Sequence, residues 1–143
     1  MTMNKLLISG FLFIFGVVSA QELTAEQKQI LKFDNTARFS DLTGNQDINQ
    51  CLKAENNSYT LLALAIKMKS VNILQKLIDQ KADLEKMCDG KTPLMFAAKY
   101  GDVATAKKLL ENGAKKETRT EKGFTALDYA EKYNQPEMIR LLK

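Results

Sequence analysis

Two cysteines and a series of lysines beside aromatic residues are the side chains whose types and spacing could do chemistry here. Cys51 and Cys88 are the chain's two thiols. Such a pair either forms a disulfide in an oxidising compartment or stays as two unrelated buried thiols. Without histidine partners, the pair does not match a zinc site.

The chain lacks the side chain that enzymes use most often for proton transfer, because it has no histidine. The commonest general acid or base at neutral pH is therefore missing, and so is the usual base of serine and cysteine hydrolases. No glycine-rich phosphate loop is present, and carboxylate pairs such as Asp79 and Glu111 are typical of a solvated helix face. The sequence predicts a protein that is not an enzyme, with no catalytic residue, metal or cofactor.

The elements that position these side chains recur at a fixed period. Thr60 opens TLLALAI, Thr92 opens TPLMFAA and Thr125 opens TALDYAE, at spacings of 32 and 33 residues. An apolar residue follows each threonine at the same distance: Leu77, Leu109 and Leu142. A period of about 33 residues indicates a solenoid of stacked units.

Each unit reads as helix, tight turn, helix. Thr92 can cap a first helix that starts at Pro93, Gly101 suits a left-handed turn, and Asp102 can cap the second helix. Gly113 ends that second helix, and an extended link leads to the next threonine.

Other residues replace the turn glycines in the neighbouring units. Asn134 tolerates a left-handed conformation, whereas Lys69 and Lys81 should each cost on the order of 1 kcal/mol relative to glycine. We expect the unit that contains both lysines to be the less ideal one.

The stretch DGKTPLMFAAKYGDVATAKKLLENGA, residues 89–114, resembles an ankyrin repeat in its threonine, proline, paired alanines, turn glycine, paired leucines and NGA ending. The resemblance implies an all-α solenoid of helix-turn-helix units with extended hairpin-like links, about three and a half repeats. Upstream, FDNTARFSDLTGNQDINQCL resembles a degenerate first unit with helices at 24–35 and 37–43. The predicted boundaries are 21–56 for that unit, 57–89 and 90–122 for the next two, and 123–143 for a truncated last one.

Two departures from the family pattern affect the prediction. The family's usual histidine, which ties neighbouring units, is replaced by Ala63, Met95 and Asp128, so we expect a stack held more by apolar contacts. The link before Thr60 is longer than the link before Thr92 and should form a larger loop around Cys51 to Asn57. Since links of adjacent units are neighbours, Cys51 and Cys88 could come within bridging distance, and the two alternatives for the thiols stay open.

Similarity to ankyrin proteins implies a recognition face made of the link tips and the exposed ends of the first helices. In that face the lysines would orient an acidic patch of a partner protein while the rings supply contact area. Alternatively, the lysines only keep the protein soluble and the rings pack on neighbouring units. The candidate residues are Tyr59, Lys67, Met68, Lys91, Lys99, Tyr100, Phe124, Lys132 and Tyr133.

The first twenty residues, MTMNKLLISGFLFIFGVVSA, have the pattern of an export signal with cleavage after Ala20. The alternative is a retained membrane anchor, but the apolar stretch is shorter than the roughly 20 residues of a span. We therefore expect an exported protein, periplasmic or alternatively secreted, with no membrane insertion after cleavage. The net charge of +4 has both signs interspersed, unlike a nucleic-acid footprint.

Together these patterns favour a non-enzymatic protein-binding module of the cell envelope that sequesters, inhibits or protects an envelope enzyme. The alternatives are a scaffold that tethers envelope components and a secreted effector that binds a host protein. The last helix is expected to leave Ile139 and Leu142 partly exposed, which predicts either fraying or self-association at that end.

Overall fold

A computed structural model describes residues 21–143, so the predicted export signal lies outside the described residues. Those residues form eight α-helices and three short strands. The helices are α1 Ala25–Lys32, α2 Phe39–Thr43, α3 Leu61–Met68, α4 Val71–Asp79, α5 Pro93–Tyr100, α6 Val103–Glu111, α7 Ala126–Lys132 and α8 Pro136–Leu142. The strands are β1 Gln21–Glu22, β2 Leu52–Ala54 and β3 Asn57–Tyr59.

The helices form four antiparallel pairs that stack side by side, which confirms the predicted helical solenoid. The first helix of each pair packs on its neighbour, so that α5 lies between α3 and α7. Three links join the pairs: link 2 covers residues 44–59, link 3 covers 80–91 and link 4 covers 112–124.

A threonine starts the first helix of every pair. The hydroxyl oxygens of Thr24, Thr60, Thr92 and Thr125 each accept a hydrogen bond from the amide three residues later, over 3.1–3.3 Å. This satisfies one of the amides that a helix start leaves unpaired. The repeated threonine therefore fixes where each unit begins.

A residue in the left-handed conformation ends the first helix of every pair. These residues are Asp34, Lys69, Gly101 and Asn134. Lys69 adopts φ 58° where Gly101 adopts φ 67°, as the sequence pattern predicted, and Lys81 has φ 60° in the turn after α4. The shared backbone geometry identifies equivalent positions in all four units, even where the sequences differ.

One hydrophobic core runs through the stack, from Leu23 to Leu142. Leu142 is only 5% exposed, so the prediction that it lies on an exposed end is wrong, while Ile139 is half-buried against the core. The reason is that α8 packs on both α7 and α6. Lys116 also closes this end, because its Nζ donates to the carbonyl of Leu141 over 2.9 Å.

Polar contacts supplement the apolar stack. Ser70 Oγ donates to the Leu31 carbonyl over 2.5 Å, and the Asp34 carboxylate accepts from the Ile73 amide over 2.8 Å. The place of the family histidine is taken in the first unit by Gln27, whose Nε2 donates to the Leu42 carbonyl over 3.0 Å. Units are thus tied by hydrogen bonds as well as by apolar contacts.

The first unit departs from the sequence prediction in its details. Its first helix ends at Lys32, and a 3-10 turn at Thr36–Arg38 precedes α2. The larger loop expected in link 2 is an antiparallel hairpin of β2 and β3. Strand β1 adds to it in parallel, with Gln21 opposite Leu52. No strand was expected at β1, because Gln21 and Glu22 lack an apolar alternation.

None of the helices found between residues 21 and 143 has the length and apolar content needed to cross a membrane.

Candidate protein-binding face

A lysine followed by a ring or a thioether precedes the left-handed residue of every unit. We call this set the paired row: Lys32–Phe33, Lys67–Met68, Lys99–Tyr100 and Lys132–Tyr133. The turn that ends each first helix therefore presents the same two positions four times along the stack.

The first pair, Lys32–Phe33, was missed from the sequence. Helices α1 and α5 are equally long, but Phe33 stands as one extra residue between the end of α1 and the left-handed Asp34, so that the spacing from Thr24 to Asp34 is one longer than from Thr92 to Gly101. Counting from the threonine therefore selects the wrong positions in this unit. The signal that could have found the pair is the Lys-Phe dipeptide directly before the turn at Asp34.

Rings of the paired row are open to solvent. Phe33 is 70% exposed, Tyr133 39% and Tyr100 37%, whereas Met68 is half-buried. Phe124, at the tip of link 4, is 48% exposed, and its ring centroid lies 6.3 Å from that of Tyr129. Exposed rings gathered on one face are typical of protein contact surfaces.

Lysines of adjacent units share these rings. Lys99 Nζ lies 5.5 Å from the ring centroid of Tyr100 and 5.4 Å from that of Tyr133. Lys132 Nζ lies 5.7 Å from the same Tyr133 ring. Each such cation–π contact is worth about 0.5–1 kcal/mol at an exposed site. The contacts hold the ammonium groups beside the rings while leaving them open to solvent.

Tyr59 does not belong to the exposed face, contrary to the sequence prediction. It is 5% exposed, and its ring packs 5.3 Å from that of Phe96 in the next unit. Lys67 covers it, with Nζ 4.8 Å from the ring centroid and donating to the hydroxyl over 3.3 Å. Tyr59 therefore packs between units, and its burial depends on tertiary neighbours that local sequence does not reveal.

Protonation leaves the face cationic at neutral pH. Burial alone lowers the pKa of Lys67, but the hydrogen bond to Tyr59 and nearby Glu55 outweigh it and raise the pKa above its ordinary value. Burial, together with Tyr59, raises the pKa of the Tyr100 hydroxyl. The lysine stays charged and the phenol neutral.

An open groove of about 600 Å³ lies between the link tips and the first helices of the last two units. Residues 89–91 of link 3 and 120–122 and 124 of link 4 line it together with Lys99 of α5, residues of α7 and Tyr133. Its cationic side chains are Lys91, Lys99, Lys122 and Lys132, and its carboxylates are Asp89, Glu121 and Asp128.

The lysines of the groove have no carboxylate partner within the described chain. The ion pairs there all use arginine: Arg38 with Glu26 and Asp41, and Arg140 with Glu137. Of the groove carboxylates, Asp128 is engaged by Thr125, whose amide and hydroxyl donate to it over 2.6 and 2.8 Å. These bonds lower the pKa of Asp128.

Link 3 is fastened to link 2 beside the groove. Cys51 and Cys88 form a disulfide, with Cα atoms 5.8 Å apart. The next residue, Asp89, accepts a hydrogen bond from the amide of Ser58 in β3. Lys91 then places its Nζ 5.9 Å from the ring centroid of Phe96. One wall of the groove is thus covalently anchored.

Metal chemistry has no support in residues 21–143, where no group of three or more histidine, cysteine or acidic side chains is placed to hold an ion.

Comparison with known proteins identifies the family. The family model of ankyrin repeats (3 copies) matches residues 28–120 and 85–143. "Ankyrin repeat and SAM domain-containing protein 6" from Mus musculus is 33% identical over 101 residues, which cover 68% of this chain and 11% of that protein. The Rattus norvegicus protein of the same name matches with the same identity and coverage. The match thus spans a small part of these relatives. The chain belongs to the ankyrin repeat family, whose repeats are protein–protein interaction modules and generally not enzymes.

Proposed function

We propose that this chain is an exported binding module that holds an acidic surface of another envelope protein, and so sequesters, inhibits or protects that protein. The observation that carries the proposal is the paired row. In each of the four units, a lysine and a large side chain stand directly before the left-handed residue of the turn. These lysines form no ion pair with a carboxylate within residues 21–143.

The chemistry of the row supports recognition of an acidic protein. Rings bring contact area with few rotatable bonds to immobilise, which lowers the entropy cost of binding. Unpaired ammonium groups attract carboxylates and fix the orientation of a partner. Retaining exposed rings without a partner would favour aggregation.

Two features support an exported location. Residues 1–20 have the apolar stretch and small-residue ending of an export signal. Disulfides such as Cys51–Cys88 persist mainly in oxidising compartments.

The test is affinity capture from an envelope extract with residues 21–143, which contain every described helix and strand. The test variant carries Lys99→Ala, Tyr100→Ala, Lys132→Ala and Tyr133→Ala. We expect it to lose at least tenfold in affinity for a captured partner, equivalent to about 1.4 kcal/mol. Thermal melting must show that the variant is folded.

A control variant carries Lys107→Ala and Lys115→Ala, two exposed lysines outside the groove, and should capture as wild type does. A partner held equally by wild type and the test variant would contradict the proposed face. One partner in a one-to-one ratio supports an inhibitor or protector. Several sub-stoichiometric partners would instead support a scaffold, and recovery of the protein from the medium would support a secreted effector.

A further inference from the structure

The paired row has a spacing that restricts the shape of its partner. We infer that the partner presents an acidic segment in the polyproline II conformation, with a carboxylate at every third residue. This inference rests on the proposed function. Three features carry this inference: the repeat step of the row, the side-chain period of the bound segment and the rings that line the groove.

The repeat step follows from how the first helices pack. Helices α3, α5 and α7 stack on one another, and packed helices lie about 8–10 Å apart. Lys99 and Lys132 are compatible with this step, since their Nζ atoms lie 5.4 and 5.7 Å from the centroid of the same Tyr133 ring and so are at most about 11 Å apart. A bound segment must therefore offer one carboxylate for roughly each 8–10 Å of its length.

Polyproline II matches this step. It has three residues per turn and a rise of about 3.1 Å per residue, so that every third side chain points the same way and advances about 9 Å. A β-strand returns a side chain to the same face about every 6.6 Å or 13 Å, and neither interval matches.

An α-helix comes next, because seven residues advance about 10.5 Å. That interval lies just beyond the step of about 8–10 Å, whereas the roughly 9 Å advance of polyproline II lies within it. The step therefore favours polyproline II, and a helical peptide serves as a comparison in the test.

The rings of the groove also suit this conformation. Phe124, Tyr129 and Tyr133 line the groove, and Phe124 and Tyr133 are exposed. Polyproline II segments dock on aromatic-lined grooves because their preformed conformation loses little entropy on binding. The residues between the carboxylates would lie on Tyr133 and Phe124.

The test measures binding of labelled synthetic peptides to the disulfide-bonded protein by fluorescence anisotropy at low ionic strength. The probe is a peptide of four Glu-Pro-Pro triplets. One comparison peptide has the same composition with its glutamates clustered, and the other is helical with glutamates seven residues apart. We expect the triplet peptide to bind at least fivefold tighter than either, and to weaken with added salt because exposed charges are screened.

Protein variants separate this inference from the proposed function. Lys99→Ala with Lys132→Ala should weaken the triplet peptide at least fivefold, while Lys107→Ala with Lys115→Ala should not. One outcome is that the clustered peptide binds as tightly as the triplet peptide and loses affinity for the protein with Lys99→Ala and Lys132→Ala. That result would contradict the spacing of one carboxylate in three residues but support the proposed face. Tightest binding of the helical peptide overturns the polyproline II geometry, and failure of the triplet peptide to bind overturns the inference. Binding that ignores Lys99 and Lys132 overturns the face itself, and with it the proposed function.

Discussion

Links 3 and 4 occupy the same place in successive units, but they are held in different ways. Link 3 is tied outward, by the Cys51–Cys88 disulfide and by the hydrogen bond from Ser58 to Asp89. Its own closing bond is long, since the Lys91 amide lies 3.4 Å from the Cys88 carbonyl. The tip of link 4, residues 120–124, closes on itself, with the Thr120 amide donating to the Phe124 carbonyl over 2.9 Å. The base of link 4 is tied to link 3, because the Glu85 carboxylate accepts from the Lys115 amide over 2.9 Å and from the Thr118 hydroxyl over 2.5 Å.

Links 3 and 4 both line the groove, and the difference shows two ways of fixing such a link in place. The tip of link 3, residues 88–91, depends on link 2 for its position, whereas the tip of link 4 depends on local turn chemistry and on the Thr125–Asp128 cap of α7. Loss of an outward tie should therefore disturb the tip of link 3 and not the tip of link 4. Loss of a turn residue in link 4 should disturb the tip of link 4 and not the tip of link 3.

The largest expected effect comes from removing the disulfide. Cys51→Ser with Cys88→Ser opens a loop of 37 residues, and we expect the free energy of unfolding to fall by roughly 3–4 kcal/mol in the chain-entropy estimate. Urea unfolding measures the loss. Hydrogen exchange should accelerate at the amides of link 3 and of Ser58.

The same exchange experiment supplies its own control, because the amides at the tip of link 4, residues 120–124, should exchange as in wild type once the change in global stability is subtracted. Wild-type protein treated with a thiol reductant should behave as the double variant does. Unchanged stability in both samples would show that the bridge does not anchor link 3.

A smaller effect is expected from the turn of link 4. Gly123 has φ 84°, and a Cβ added to it would meet no other atom within 4 Å, so Gly123→Ala adds backbone strain without a steric clash. We expect a loss of about 1 kcal/mol in the free energy of unfolding. Exchange should accelerate at Thr120 to Phe124 and not in link 3.

The matched change is Gly90→Ala in link 3, where φ is 68° and the space is also open. It should cost a similar amount but leave link 4 unaffected. If Gly123→Ala instead loosens link 3, the two links are coupled and the contrast between them fails.

The smallest effect concerns pH. Hydrogen bonds from the Thr125 amide and hydroxyl lower the pKa of Asp128 in the folded state. The stabilisation is therefore present above the ordinary aspartate pKa of about 3.9 and is lost as the pH falls through the lower folded-state value. Asp128→Asn should lower Tm at neutral pH, by less than Gly123→Ala does, and the gap from wild type should narrow as the pH falls below the ordinary aspartate pKa of about 3.9.

Glu121→Gln is the control for this measurement, since it removes an exposed carboxylate of link 4 that has no hydrogen bond among the described residues. Its Tm should track that of wild type across the pH range. A gap for Asp128→Asn that stays constant with pH would assign the effect to packing and not to charge.

Much of the fold could be predicted from sequence, because its signals are local. A threonine hydroxyl reaches an amide three residues away, and a turn needs one residue with positive φ, so that the helix starts and the turns at Lys69 and Lys81 were predicted correctly. Strand β1 and the burial of Tyr59 were missed, because both depend on contacts with residues about 30 or more positions away.

The candidate face also has one part that local sequence predicts and another part that it does not. Three of its pairs follow from a constant spacing after the threonine, while Lys32–Phe33 was missed because the turn after α1 contains one extra residue. The partnership of Cys51 and Cys88 stayed open because the longer link 2 left the register of Cys51 undefined, and the hairpin of β2 and β3 supplies that register.

The parallel pairing of β1 with β2 has a consequence for the order of assembly during synthesis. Gln21 pairs with Leu52, and the amide of Leu23 donates to the carbonyl of Lys53 over 2.8 Å. A chain made from its amino end can form α1 early, yet β1 has nothing to pair with until residues 52–54 have emerged. Strand β1 can therefore join its sheet only after strand β2, which leads into the second unit, has been synthesised.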